Sequence, residues 1–168
     1  MKWTKMNDKI AFGGGCHWCT EAVFQSLKGV EKVEQGYVAS IDENNAFSEA
    51  VIVHFEPITI ALETQIEIHL HTHKSTRQHS MRYKYRSAVY TFSEEQKHKV
   101  KGVIDSIQGT FESEIITKVV PFDSFKASPE MFQNYYQKNP NKPFCKTFIN
   151  PKLSLLIKQF SIHINSEI

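Results

Sequence analysis

Three consecutive glycines, Gly13-Gly14-Gly15, run directly into Cys16-His17-Trp18-Cys19-Thr20-Glu21. The apolar run Ile10-Ala11-Phe12 precedes them, and the residues that follow place Cys19, Ala22, Val23, Ser26 and Leu27 on one helical face. This order predicts a strand, a tight turn and a helix, with the Cys16 thiol at the first turn of the helix. Unpaired backbone N–H groups and the helix dipole favour negative charge there. A thiol so placed is biased toward thiolate, the nucleophilic form. The glycines let the chain turn sharply and let a substrate come close to the backbone. The plainer alternative is a glycine-rich turn followed by two buried cysteines.

The chain has 168 residues, enough for one domain with a real core. A net charge of +2 is too small to argue for nucleic acid or an anionic membrane as partner. No run approaches the ~20 apolar residues of a membrane span, and the start, Met1 to Lys9, lacks the apolar stretch of a signal peptide. Three cysteines, two at Cys-x-x-Cys spacing, do not form a secreted disulfide framework. A cytoplasmic protein with catalytic or metal-binding cysteines is expected, as a monomer.

Glu49 to Phe55 is β-branched and apolar and reads as a strand ended by Glu56-Pro57. Thr59 is the expected N-cap of a helix carrying Leu62, Ile66, His69 and Leu70, and His71 to Lys84 is expected as a basic loop. Arg86 to Phe92 is another strand. Ser93 and Gln96 form a capping box opening a helix with Val100, Val103, Ile104 and Ile107. Ile115 to Phe122 gives a further strand, Pro129 a short helix through about Lys138, and Pro151 a last helix with Leu155, Leu156 and Phe160. The order β-α-β-β-α-β-α-β, with connections short enough for antiparallel pairing, predicts one α+β domain over residues 1–168. A long, irregular tail from Pro121 onward is expected to wrap the core.

The segment Gly15-Cys16-His17-Trp18-Cys19-Thr20-Glu21-Ala22-Val23-Phe24 resembles the active-site signature of A-type peptide methionine sulfoxide reductases, Gly-Cys-Phe-Trp. Further matches follow in the family's order: Gly36-Tyr37; Ser48-Glu49-Ala50-Val51; Phe55-Glu56-Pro57; Tyr85-Arg86-Ser87-Ala88; and Tyr136-Gln137-Lys138-Asn139-Pro140 with Cys145 after it. The resemblance implies a ferredoxin-like two-layer α/β sandwich and thiol-dependent reduction of methionine-S-sulfoxide, free or in proteins. It implies no cofactor beyond an external thiol reductant, thioredoxin.

Reducing a sulfoxide needs a soft nucleophile for sulfur and an acid for the departing oxygen. Cys16 supplies the first. The resemblance implies that Glu49 supplies the proton, with a partly apolar pocket keeping it protonated near neutrality. It implies that Tyr37 and Tyr85 hold the sulfoxide oxygen and that His17 and Trp18 line the pocket for the substrate methyl group. Without it, Glu49 reads as a solvated strand-end charge and the tyrosines as ordinary half-buried rings.

Two departures from the family pattern stand out. His17 replaces Phe, and its ring is more polar and can be cationic: it either stabilises a thiolate at Cys16 or weakens the methyl pocket. The loop before Tyr85 lacks the family's His-Asp-Pro-Thr, and Ser80 stands where an Asp is usual. The cluster His69, His71, His73 and His79 invites a metal reading, but no acidic or thiol ligand accompanies it at metal spacing, and a solvated basic loop is preferred.

A sulfenic acid at Cys16 needs a resolving thiol. Cys145, in a Pro- and Asn-rich segment, suits a mobile loop; Cys19, three residues along a helix, is the alternative. Three competing readings stay open. One is a thioredoxin-like disulfide oxidoreductase on Cys16-His17-Trp18-Cys19, although no partner cis-Pro stands out. Another is a zinc-binding module using the cysteines and a His. The third is a family member that has lost activity.

Overall fold

The computed structural model describes residues 8–78 and 80–165. Six strands form one sheet: β1 (Asp8–Gly13), β2 (Val30–Ala39), β3 (Ser48–Phe55), β4 (Ala88–Thr91), β5 (Lys118–Pro121) and β6 (Ser124–Ala127). Their order across the sheet is β5-β4-β1-β3-β2-β6. Five α-helices accompany them: α1 (His17–Gln25), α2 (Leu62–Thr72), α3 (Glu94–Ile107), α4 (Tyr135–Lys138) and α5 (Asn150–Phe160).

Alternation along the central strands divides the core. Ile10 and Phe12 of β1 join Val51, Val53 and Phe55 of β3 in one cluster with Ala22, Val23, Ile66, Val100 and Leu156 of the helices. Ala11 points the other way, with Ala50, Ile52, Ala88 and Tyr90, and there Phe92, Val120, Phe122 and Phe125 cover the sheet. A β-branched run such as Val51-Ile52-Val53, covered on both faces, can only be an inner strand.

Four of the five strand pairings are antiparallel, as the short connections predict. The fifth, β4 with β5, is parallel, because α3 provides the crossover that returns the chain in the same direction. The cap of α3 is the predicted one. Ser93 Oγ accepts the Gln96 N–H at 3.1 Å, and Gln96 Oε1 accepts the Phe92 N–H at 2.8 Å, an arrangement worth about 1 kcal/mol.

Several expectations need correction. The predicted strands at Arg86–Phe92 and Ile115–Phe122 shorten to β4 and β5. Helix α2 begins after Ala61, without a side-chain cap; the Thr59 hydroxyl donates instead to Glu56 Oε2 at 3.3 Å. Helix α2 runs through Thr72, so the loop begins later than His71, and Ser80–Tyr83 forms one 3-10 turn within it. His79 lies outside the described residues, as does the side chain of Ser80, where the family's Asp is replaced.

The segment after Pro121 is more ordered than a wrapping tail. It adds β6 to the sheet edge, then α4, a π-helical segment (Cys145–Ile149) and α5. Strand β6 escapes sequence reading because it is only four residues long. Gly36 admits it: a Cβ there would sit 2.2 Å from the Lys126 carbonyl oxygen. The same segment buries α1 on the side away from the sheet, so seven of its nine residues are buried rather than one stripe. Cys145 is accordingly not in a mobile loop. It is fully buried at the start of the π-helical segment, because Ile149, Leu153 and Leu156 draw it into the core that also holds Cys19.

Candidate active site

Cys16 is the N-cap residue of α1, and its carbonyl accepts the N–H groups of Cys19 (3.1 Å) and Thr20 (3.3 Å). The turn leading to it is held from below. Gly14 has φ +155°, and a Cβ there would lie 2.4 Å from the His73 ring. His69 Nε2–H donates to the Gly13 carbonyl at 2.8 Å, and Arg82 Nη1 donates to the Gly14 carbonyl at 2.9 Å. His73 stacks on His69 and contacts Ser87 Oγ at 2.7 Å. Burial pushes His69 down to about 3 and His73 well below the ordinary imidazole value. Both rings are neutral packing elements under the glycine turn. His71 stacks on Phe111. Among the described residues no group of three or more His, Cys, Asp or Glu is placed to hold a metal ion, and none of their helices is long and apolar enough to cross a membrane.

Glu49 opens β3 opposite Tyr37 of β2 and is buried. Its Oε1 accepts the backbone N–H of His17 at 3.2 Å and lies 3.4 Å from His17 Nε2; its Oε2 lies 3.6 Å from Lys84 Nζ. The buried His17 ring donates Nδ1–H to the Gly36 carbonyl at 2.7 Å and meets the Tyr37 ring edge-on at 5.2 Å. Burial lowers the His17 pKa, against the pull of the Gly36 carbonyl. Glu49 N–H and Ser48 Oγ–H both donate to the Lys84 carbonyl, and Arg86 N–H donates to Ser48 Oγ. These bonds fasten the Lys84–Arg86 segment, with Tyr85, to the start of β3. Lys84 Nζ lies over the Tyr85 ring, 5.2 Å from its centroid.

The two thiols at the start of α1 act on one another. Cys16 and Cys19 share a side-chain hydrogen bond. That bond, with burial, raises Cys16, while the thiol donated by Cys16 and the nearby Lys152 ammonium lower Cys19. The Trp18 N–H acts on Cys16 in the expected direction but is outweighed. Cys145 lies behind this pair and donates its thiol to the Asn139 carbonyl at 3.5 Å; burial raises its pKa.

Trp18 is enclosed by rings from the C-terminal segment. Tyr135 stacks on it at 4.0 Å, Phe144 meets it edge-on at 5.2 Å, and Phe132 lies 5.5 Å away. Sequence reasoning missed these three aromatics, together with Lys84, Lys152 and Glu21. Glu21, fully buried, accepts the N–H groups of Asn134 (3.0 Å) and Tyr135 (3.1 Å) and the Gln35 amide (2.9 Å). A carboxylate in a helix that is otherwise buried is a legible signal. Lys152, at the first turn of α5, donates to the Thr72 carbonyl and carries no sequence cue.

A half-buried thiol at a helix N-terminus, a neighbouring thiol and a buried carboxylate across one peptide define a thiol-based redox site on a mixed α/β frame. The sequence model of one family, peptide methionine sulfoxide reductase, matches residues 8–163; the chain belongs to that family. Peptide methionine sulfoxide reductase MsrA of Trichodesmium erythraeum (strain IMS101) is 38% identical over 177 residues, spanning 96% of this chain and 100% of that one. Mxr1 from Saccharomyces cerevisiae in reduced form has the same fold, with TM-score 0.75 at 21% identity over 84% of this chain and 91% of that one. Mxr1 in complex with Trx2 gives TM-score 0.63 at 20% identity, covering 80% and 89%. The family assignment replaces both the thioredoxin-like and the zinc-module readings.

Proposed function

We propose that this methionine sulfoxide reductase acts on the S epimer, free or in proteins, by attack of Cys16 on the substrate sulfur. The observation that supports this best is the pairing across one peptide: Cys16 caps α1, and the next N–H, that of His17, is bonded to the buried Glu49. Cys16 attacks as its thiolate, the nucleophilic form of the thiol. Glu49 delivers a proton to the sulfoxide oxygen, which Tyr37 and Tyr85 hold by hydrogen bonds. The sulfur is reduced to a thioether, and Cys16 is oxidised to a sulfenic acid. His17 and the face of Trp18 not covered by Tyr135 frame the methyl group.

Cys19 and Cys145 both lie on the path of recovery. Cys19, in contact with Cys16, attacks the sulfenic acid and releases water, giving a Cys16–Cys19 disulfide. Cys145, packed in the same core, then attacks Cys19, forming a Cys19–Cys145 disulfide and freeing Cys16. Thioredoxin returns the two electrons as an external dithiol, with no bound cofactor; the capture of Mxr1 with Trx2 supports this. The inner strand order β4-β1-β3-β2 over a β-α-β-β-α-β unit supports a ferredoxin-like core within one domain. A cytoplasmic site of action agrees with three free thiols.

The test is Cys16→Ser with dithiothreitol as reductant. A hydroxyl is a far weaker nucleophile, so methionine formation should vanish while the fold persists; turnover near the wild-type rate would remove Cys16 from the chemistry.

A further inference from the structure

We propose that the rim of the active site is a basic docking face for acidic polypeptide, so that the preferred substrate is a methionine sulfoxide flanked by Asp or Glu in its own chain. This rests on the reading of Cys16 as the sulfoxide-reducing thiol and names the substrates that this rim selects.

The net charge of +2 hides an uneven distribution. Residues 68–93 and 131–165 hold ten of the 20 Lys and Arg and none of the 18 Asp and Glu. The rest of the chain carries all 18 acidic side chains against ten basic ones. Two cations in these segments are inward-facing: Arg86 donates to Tyr90 Oη and the Ala46 carbonyl, and Lys152 donates to the Thr72 carbonyl. Lys74, Arg77, Lys84, Lys138, Lys142 and Lys146 are exposed.

Both segments converge on Cys16. The first is fastened two residues before it. Arg82 donates to the Gly14 carbonyl at 2.9 Å, to the Arg77 carbonyl at 3.0 Å and to the Lys74 carbonyl. One guanidinium thus ties the chain carrying Lys74 and Arg77 to the glycine turn. Lys84, in the same segment, stands 3.6 Å from Glu49 Oε2. The second segment packs two residues after Cys16. Lys142 Nζ lies over the Tyr135 ring, 4.6 Å from its centroid, and Tyr135 covers Trp18. The Lys146 N–H donates to the Lys142 carbonyl at 3.1 Å, which sets the two lysines one helical turn apart on one side. Glu21 and Glu49 are buried and bonded within the protein. The exposed charge around the thiol is therefore of one sign, with Glu130 at its edge, where Lys138 Nζ donates to the Glu130 carbonyl at 2.9 Å.

Free methionine sulfoxide brings one carboxylate and one ammonium, whose charges cancel. A sulfoxide inside a polypeptide has neither. The occupant that satisfies cations on both sides of the thiol is a chain passing across it, with carboxylates on its own side chains. In an extended chain the second and third neighbours lie about 7–11 Å from the sulfoxide residue, so carboxylates there fall on the rim and not in the pocket. Exposed Met81, Tyr83 and Phe148 stand among the cations and offer apolar surface to the rest of such a chain. Basic flanks are repelled by the same rim. Each exposed pair contributes only roughly 1.5–5-fold. The preference comes from several acting together with long-range steering, and salt weakens it.

The experiment compares kcat/KM for three end-blocked heptapeptides with a central methionine-S-sulfoxide and Asp, Asn or Lys at the second and third positions on both sides. Dithiothreitol is the only reductant, so docking of thioredoxin plays no part. The wild type should favour the Asp peptide over the Asn peptide by about tenfold at low salt and disfavour the Lys peptide. The ratio should approach one near about 1 M salt, where the screening length is about 3 Å. Lys142→Glu with Lys146→Glu should lose most of the Asp preference. Lys28→Glu with Lys101→Glu, the same charge change at exposed lysines outside both segments, should keep it. The ratio within each protein cancels any general loss of activity, and the salt series on the wild type stands by itself if a variant fails to fold. Equal use of the three peptides, or equal loss of preference in both double variants, would overturn the proposal. So would an effect of the Lys142 and Lys146 changes confined to thioredoxin-driven turnover, which would give the face to the reductant. Absence of turnover with every peptide and with free methionine-S-sulfoxide would overturn the functional reading itself; reduction of the free amino acid with no peptide preference overturns the docking face alone.

Discussion

Tyr135 lies flat on Trp18, with ring centroids 4.0 Å apart and planes inclined by 3°. The stack joins α4 to the first turn of α1. Such a pair contributes about 0.5–1.5 kcal/mol beyond the area it buries. Tyr135→Ala should lower the melting temperature, shift tryptophan emission to the red as water reaches the Trp18 indole, and raise KM with little change in kcat. Unchanged emission would mean that the stack does not form in solution.

The stack depends on Glu21, which binds the first N–H groups of α4. Burial holds the Glu21 carboxyl above the ordinary carboxylate range, against the pull of the Asn134, Gln35 and Tyr135 donors. A folded-state pKa raised above the unfolded one gives stability that is present below the unfolded value and lost as pH rises through the folded one. Relative to Glu21→Gln, which does not titrate, the wild type should therefore lose stability as pH rises from about 4. Urea unfolding of both proteins from pH 4 to 8 measures this. A stability difference independent of pH, or one that grows in favour of the wild type, would contradict it.

Glu49→Gln keeps size and the bond to the His17 N–H but cannot give a proton to the sulfoxide oxygen. General acid catalysis contributes about 10²–10⁴-fold, and the rate of methionine formation should fall by that order. A fall of less than about threefold, far short of that range, would pass the donor role to water or to Lys84.

The thiol relay predicts three products after one turnover without reductant. Peptide mapping of the wild type should show Cys19–Cys145. Cys145→Ser should stop at Cys16–Cys19 and retain dithiothreitol-driven turnover. Cys19→Ser should accumulate the Cys16 sulfenic acid. A Cys16–Cys145 disulfide formed in Cys19→Ser at the wild-type rate would make Cys145 the direct resolving thiol.

What the sequence makes legible follows from range. The strand, glycine turn and helix around Cys16, the capping box at Ser93 and the inner strand at Glu49 are local patterns, and each is where its residues predict. Strand β6 is not, because four residues at an edge owe their pairing to Gly36, some ninety residues earlier. Burial of Cys145 and the enclosure of Trp18 come from long-range packing of the C-terminal segment on α1. Helix position alone favours a Cys16 thiolate, while the influences that raise Cys16 and lower Cys19, among them the Lys152 ammonium brought in by α5, depend on tertiary contacts that no local pattern carries.

The central claim is stereospecific sulfoxide reduction at Cys16. The direct measurement is methionine released from each separate epimer of methionine sulfoxide, with dithiothreitol as the only reductant. The account predicts turnover of the S epimer, none of the R epimer, and none of either with Cys16→Ser. Equal use of both epimers, or reduction that survives the loss of Cys16, would contradict it.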